Sequence, residues 1–201
     1  MPKSNNRSFL TQQEIELLLV QTKSGKNQIR NRCMILLCYF HGLRVSELLG
    51  LKLADFDMGS SVLYVRRLKN GLSAAHPLSP RVLQAMKVWL EERNKLNVAQ
   101  TSVYLFPSVK GTMLTRQTIY MLFQRYGEQA GLDIKVHPHM LRHACGYELA
   151  NKGMDTRLIQ DYLGHRNIRH TVRYTASNAA RFAGLWERNN LLEENSHGSK
   201  K

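Results

Sequence analysis

Residues 137–165 read HPHMLRHACGYELANKGMDTRLIQDYLGH, a stretch that spells out two helices with their start and stop signals. Proline is tolerated at a first helical position, where its missing N–H would have no intrahelical acceptor, so Pro138 opens a helix that runs through Asn151. Gly153 lies just past its end. Asp155, a short acceptor for the amides of a first turn, caps a second helix that runs to Leu163 and stops before Gly164.

The same signals extend outward. Thr115 caps a helix to Gln129 that Gly131 ends, and Ser79-Pro80 pairs an N-cap with an N1 proline to start one reaching about Lys95. Thr11-Gln-Gln-Glu14 is a capping box for a helix to about Thr22. Residues 27–41 form a helix that is apolar nearly all round from Cys33 to Phe40, hence central to a core; Gly42 stops it, and Val45 to Leu51 begin another short segment. Then the texture changes. VLYVRRL, residues 62–68, is β-branched and aromatic, Asn70-Gly71 is a hairpin signal, and residues 72–78 return as a second strand ending at Pro77. Val103–Phe106 reads as a short third strand. Downstream, a last helix is expected from Asn178 to about Leu192, with Phe182, Leu185, Trp186 and Leu192 forming an apolar stripe. The fold class is mainly α with a small antiparallel sheet (α+β). One domain covers residues 11–192, after a flexible segment 1–10 and before a polar tail 193–201 expected to be disordered.

Composition narrows the function. The 201 residues are 43% hydrophobic and 22% charged, a globular balance, but 29 Lys+Arg face 15 Asp+Glu for a net charge of +14. Such an excess on a folded chain points to a polyanion, most often nucleic acid. Cys33, Cys38 and Cys145 are odd in number and read as buried thiols of a reducing cytosol. The longest apolar run, Cys33 to Phe40, falls far short of the roughly 20 residues of a membrane span, and MPKSNNRSFL lacks the apolar core of a signal peptide. No GxxxxGK[ST] loop suggests ATP, no Cys-x-x-Cys occurs, and the carboxylates are too scattered for a two-metal site.

The histidines cluster instead. His139 and His143 stand four apart on one helix face, a zinc spacing, yet Met140 occupies the position where a zinc protease needs Glu. Set beside the cationic residues they form another ordered series: Arg44 in HGLRVSELLGL, Lys69 at the hairpin, His139-Met-Leu-Arg142, Leu163-Gly-His165 and Tyr174 in VRYTASN. Two Arg, a Lys and two His around a Tyr suit phosphodiester transfer to a phenol. The pentacoordinate transition state gains negative charge that planar guanidinium groups neutralise bidentately, the phenol (free pKa near 10) must lose a proton, and the leaving sugar oxygen must gain one. Each residue has a plainer reading. Arg44 could pair with Glu47, Lys69 could be a solvated edge charge, His139 and His143 could cap or pack, and His165 could be a helix C-terminal cation. Tyr147 and Tyr162 sit at helical spacing and read as packing residues. The plain readings do not explain why all five features recur in order.

That order, GLRVSELLGL, Lys69, HxxRH, LGH and a Tyr nine residues on, resembles the tyrosine recombinase (phage integrase) family from about Thr11 to Trp186. HPHMLRHACGYELA and TRLIQDYLGHRNIRHTVRYTASNAARF are similar to the short recombinases that invert fimbrial promoter switches. The resemblance implies that Arg44 and Arg142 clamp the scissile phosphate and that His139 exchanges a proton with Tyr174. It implies that Lys69 protonates the 5′-oxygen, His165 donates to the phosphate, and Tyr174 forms a 3′-phosphotyrosyl link. Glu47 would orient the site from behind, and Arg166, Arg169 and Arg173 would contact DNA; Arg181 and Arg188, with Glu187 alone opposing the series, extend it. No cofactor or metal is implied. Double-stranded DNA with inverted-repeat sites is the implied partner, bound by four protomers with DNA-bending accessory proteins, in a bacterial cytoplasm and on no membrane. Most members carry an N-terminal helical domain that completes a clamp; Arg44 lies too close to the start for one, which makes partners on the DNA more important. Two rivals remain: a non-catalytic DNA-binding transcriptional regulator using residues 155–163, and a metal hydrolase built on the histidines.

Overall fold

The computed structural model describes residues 7–176 apart from 24, 26 and 68–72. Its helices begin where cap chemistry places them. Thr11 Oγ1 accepts from Glu14 N at 3.2 Å while Glu14 Oε2 accepts from Thr11 N at 2.7 Å, opening α1 (Gln12–Gln21). Ser79 Oγ accepts from Val82 N at the head of α4 (Pro80–Asn94), and Thr115 Oγ1 from Thr118 N at the head of α5 (Arg116–Gln129). Pro138 opens α6 (Pro138–Asn151), and Asp155 Oδ1 accepts from Arg157 N and Leu158 N to open α7 (Thr156–Leu163).

The centre is α2 (Gln28–Phe40), whose residues from Cys33 to Tyr39 are all buried and which packs against α4 and α6. Each fully buried Leu or Ile there contributes about 1.5–3 kcal/mol relative to exposure. The chain then turns at Gly42, where φ is +55° and a Cβ would stand 2.4 Å from Leu163 Cδ2. Only glycine serves both the left-handed turn and the close seat of α7. Arg44 precedes the following α3 (Val45–Gly50) and donates through Nη2 to the Gly164 carbonyl, just past α7, at 3.5 Å.

Three short antiparallel strands, β1 (Phe56–Asp57), β2 (Val62–Val65) and β3 (Ala74–Pro77), lie in the order β1-β2-β3. Leu63 pairs with Phe56 and His76, and Val65 with Ala74. Leu63 and Val65 point inward and Tyr64 outward, the period-two pattern of a half-buried strand. The third strand is thus β1, and Val103–Phe106 corrects the sequence reading: it forms only an isolated bridge, Lys52 to Tyr104. The physical reason is a buried guanidinium. Arg93 donates to the carbonyls of Ala99, Ser102 and Tyr104, and Trp89 Nε1 donates to that of Leu105, so the acceptors a ladder needs are already engaged.

One helix had no counterpart in the sequence reading. α8 (Arg169–Ala176) packs on α6 and α7, and its Tyr174 joins Cys145, Ala150, Ile159 and Leu163 in a small second core. Lys69, the Asn70-Gly71 turn, the helix from Asn178 and the tail lie outside the described residues. Cys33, Cys38 and Cys145 are free and buried, and burial pushes the Cys33 and Cys145 thiols up to about 12. No helix among the described residues is long and apolar enough to cross a membrane.

Candidate active site

A cleft of about 560 Å³ opens between α3, α5, α6 and the α7–α8 turn. Among the described residues five arginines line it (Arg44, Arg116, Arg142, Arg166 and Arg173), and no carboxylate does. His139 and His165 face the same space. Four of the six expected catalytic residues thus converge on one wall from three elements far apart in sequence.

Their placement rests on one buried carboxylate. Glu47 takes the Arg44 backbone N–H at 2.8 Å and Arg44 Nη1 at 2.7 Å, closing the first turn of α3 and aiming the Arg44 side chain. Its other face takes Arg67 Nη1 at 2.7 Å, and Arg142 Nη1 lies 3.9 Å away. Burial pushes the Glu47 carboxyl up, but Arg67, the Arg44 amide and Arg142 outweigh it and hold it below the usual carboxylate range. The sequence reading expects Glu47 to orient the site from behind, and the structure places its carboxylate against Arg44, Arg67 and Arg142. The plain reading of Arg44, that it pairs with Glu47, is true as well: the pairing is what positions it.

Arg142 is 1% exposed. It donates through Nη1 to the Gly42 carbonyl and through Nη2 to that of Leu163 at 2.6 Å, which ties the α2–α3 turn to the end of α7. Burial, with Arg44 and Arg67 close by, pulls its pKa down, yet from so high a starting value that it stays a cation at neutral pH. Gly164 takes φ +63° and sits where a Cβ would lie 2.7 Å from Arg67 Nε, so the Leu-Gly-His turn is shaped around the Arg67–Glu47 pair. His165 follows directly; its Nδ1 lies 2.9 Å from Thr171 Oγ1, which fixes the ring beside the cleft. Desolvation, then Arg142 and nearby cations, pull the pKa of His139 down to about 4; desolvation, then Arg142 and Arg44, pull that of His165 to about 3. Both rings are neutral at pH 7.

Tyr174 stands behind the cleft wall. Its ring stacks near that of His165 with centroids 6.3 Å apart, and the Arg173 guanidinium lies 5.4 Å over it. The side chain is 1% exposed, and burial raises its pKa against the opposing pull of Arg173 and Arg142. Its hydroxyl meets His143 Nδ1 at 2.8 Å. Of the expected DNA contacts, Arg166 and Arg173 line the cleft, while Arg169 is exposed on α8 and does not.

Several residues escaped the sequence reading. The spacing pairs His143 with His139 as it would for zinc, but the two rings meet edge to face at 4.4 Å and His143 Nδ1 lies 2.8 Å from the Tyr174 hydroxyl. Among the described residues no cluster of three or more His, Cys, Asp or Glu side chains could hold a metal ion. Arg67 continues the inward alternation of Leu63 and Val65, a signal that could have marked it as buried. Arg116, Tyr120 and His170 line the cleft with no motif to announce them.

Comparison with known proteins identifies the family. Residues 8–181 match the phage integrase family. The Type 1 fimbriae regulatory protein FimE of Escherichia coli (strain K12) is 52% identical over 190 residues, covering 94% of this chain and 96% of that protein. FimB of the same strain is 51% identical over 185 residues, 92% of each chain. Among solved structures, XerH site-specific recombinase bound to palindromic difH substrate has a TM-score of 0.75 at 29% identity, over 93% of this chain and 56% of that one. The chain therefore belongs to the phage integrase family and is a tyrosine-type site-specific DNA recombinase.

Proposed function

We propose that this recombinase inverts a DNA element flanked by inverted repeats, a fimbrial promoter switch, with Tyr174 as its nucleophile. The observation that carries the chemistry is the convergence of Arg44, His139, Arg142 and His165 on one arginine-rich cleft, with the Tyr174 ring stacked near that of His165. Similarity to FimE and FimB across nearly their whole length supports the fimbrial assignment.

In this reading Arg44 and Arg142 hold the nonbridging oxygens of the scissile phosphate, and His165 donates a further hydrogen bond. The Tyr174 oxygen attacks phosphorus as His139, neutral and open to the cleft, takes the phenolic proton. The bond to the 5′-oxygen breaks, Lys69 supplies its proton, and the phosphate remains as a 3′-phosphotyrosyl ester. A 5′-hydroxyl from the other duplex then attacks that ester and the proton transfers run in reverse. The ester conserves the energy of the broken bond, so rejoining needs no ATP and the chain's own cations do the work a metal would do elsewhere. The catalytic domain takes in residues 11–192, Arg166, Arg169 and Arg173 grip the DNA backbone, four protomers assemble on two sites with DNA-bending proteins, and the reaction takes place on the nucleoid in a bacterial cytoplasm.

The test is a nicked duplex that traps the covalent intermediate, read on a denaturing gel. Wild type should form a protein–DNA adduct and Tyr174→Phe none, with DNA binding retained because no charge is lost. An adduct with the Phe variant refutes the assignment.

A further inference from the structure

Tyr174 is not among the side chains that line the phosphate cleft. Its hydroxyl is engaged 2.8 Å from His143 Nδ1, on the α6 helix behind it. The ring is seated tightly: a Cβ on Gly146 would come within 2.6 Å of two of its carbons, and the Tyr147 ring meets it edge-on at 5.1 Å. In-line attack requires the phenol oxygen to approach phosphorus to about 3–3.5 Å. On the proposed reading a phosphate held by Arg44 and Arg142 would lie in the cleft, and the hydroxyl would have to leave His143 to reach it.

We propose that His143 is a positioning residue that holds the Tyr174 hydroxyl withdrawn from the cleft and still protonated, and that entry of the DNA phosphate releases it. The proposal rests on the reading of Tyr174 as nucleophile. His143 suits a holding role better than that of proton acceptor. Burial, then His139, Arg173 and Arg142, pull its pKa to about 3, while burial raises that of the phenol, so the proton stays on oxygen in this pairing. The α8 helix that carries Tyr174 packs on α6 and α7, and the His165 ring, which lines the cleft, lies with its centroid 6.3 Å from that of Tyr174. The attraction between the cleft arginines and an incoming phosphate supplies the differential interaction that a change of state requires.

The experiment compares wild type, His143→Leu, His143→Asn and Gly146→Ala as full chains without DNA. Tetranitromethane is the probe and peptide mass mapping the readout, with exposed Tyr64 and Tyr120 as internal standards. Loss of one neutral hydrogen bond should raise Tyr174 nitration about five-fold in His143→Leu. His143→Asn places an amide oxygen near the Nδ1 position and should stay close to wild type. Gly146→Ala crowds the ring without touching the hydrogen bond and should also raise nitration; His143→Phe, which keeps an aromatic ring and loses the acceptor, repeats the His143→Leu test if that variant fails to fold. On the nicked duplex, His143→Leu should form the covalent adduct about five-fold faster than wild type. Unchanged nitration in His143→Leu and Gly146→Ala, or slower adduct formation in His143→Leu with recovery in His143→Asn, overturns the proposal. An adduct that persists in Tyr174→Phe refutes the nucleophile reading instead and leaves the nitration result to report on the hydrogen bond alone.

Discussion

Replacing Glu47 by Gln removes one charge from the interior and little volume. The wild-type side chain is 1% exposed and faces Arg67 at 0% and Arg142 at 1%, so its loss strands two guanidinium groups where water cannot reach them. Breaking a buried ion pair on one side costs about 3–5 kcal/mol. A chain of this size loses about 2–4 °C of melting temperature per kcal/mol, so the variant should melt about 6–20 °C lower at neutral pH. Adding Arg67→Met removes one of the stranded cations and should restore more than half of that loss. Cleavage should not return with stability. Arg44 still lacks the carboxylate that aims it, and adduct formation should stay at least about ten-fold down, as for a lost transition-state contact. The depressed Glu47 pKa carries a matching pH signature: its contribution is present above the usual carboxylate range and is lost as pH falls through and below it. Thermal and urea melts of both variants, with single-turnover cleavage on the nicked duplex, decide the matter. A Glu47→Gln melt within about 2 °C of wild type, or a double variant less stable than the single one, would refute the account of the buried network.

Three further expectations follow from the same structure. His41 and His76 are each 1% exposed; burial, then Arg67 for His41 and His41 for His76, lower their pKa values to about 4 and about 3. Native protein binds fewer protons than the unfolded chain below about pH 6.5, so stability is full above that value and falls on acidification, by about 2 kcal/mol per histidine at pH 5; replacing both by Phe should flatten the curve of urea midpoint against pH, and an unchanged curve contradicts the assignment. Five arginines in the cleft should give a steep salt dependence of DNA binding, with log K falling by about 0.9 per log unit of salt for each phosphate neutralised, and a flat titration would show that this charge does not meet DNA. Gly164→Ala forces a left-handed backbone on a residue with a Cβ, costing about 1–2 kcal/mol, and pushes that Cβ onto Arg67. It should lower the melting temperature and slow cleavage together, and normal cleavage would mean that Arg67 does not help set the Leu-Gly-His turn.

Much of the candidate site was legible because Arg44, His139, Arg142 and His165 each sit next to a local signal. Arg44 follows a glycine stop and precedes a helix start, His139 and Arg142 lie in the first turns of a proline-opened helix, and His165 follows a left-handed glycine. Their order carried the family resemblance before any distance was known. Residues without such a neighbour were harder. Arg116 and Tyr120 reach the cleft only because α5 packs against α3. The helix that carries Tyr174 has no cap that the sequence reading recognised, and it is held by packing on α6 and α7.

What the sequence determined by itself is therefore local: capped helix starts at Thr11, Ser79, Thr115 and Asp155, glycine stops, the alternation of β2, and the roster of cations around one tyrosine. Those features depend on hydrogen bonds and steric limits that span a few residues. The tertiary structure decided everything that depends on partners distant in the chain. Arg93 turned Val103–Phe106 from a strand into a carbonyl cage, Glu47 drew Arg67 out of water across 20 positions, and the seating of α8 on α6 gave Tyr174 to His143 across 31. A buried charge or phenol takes whichever partner the packed core presents, and that choice is written only when the helices meet.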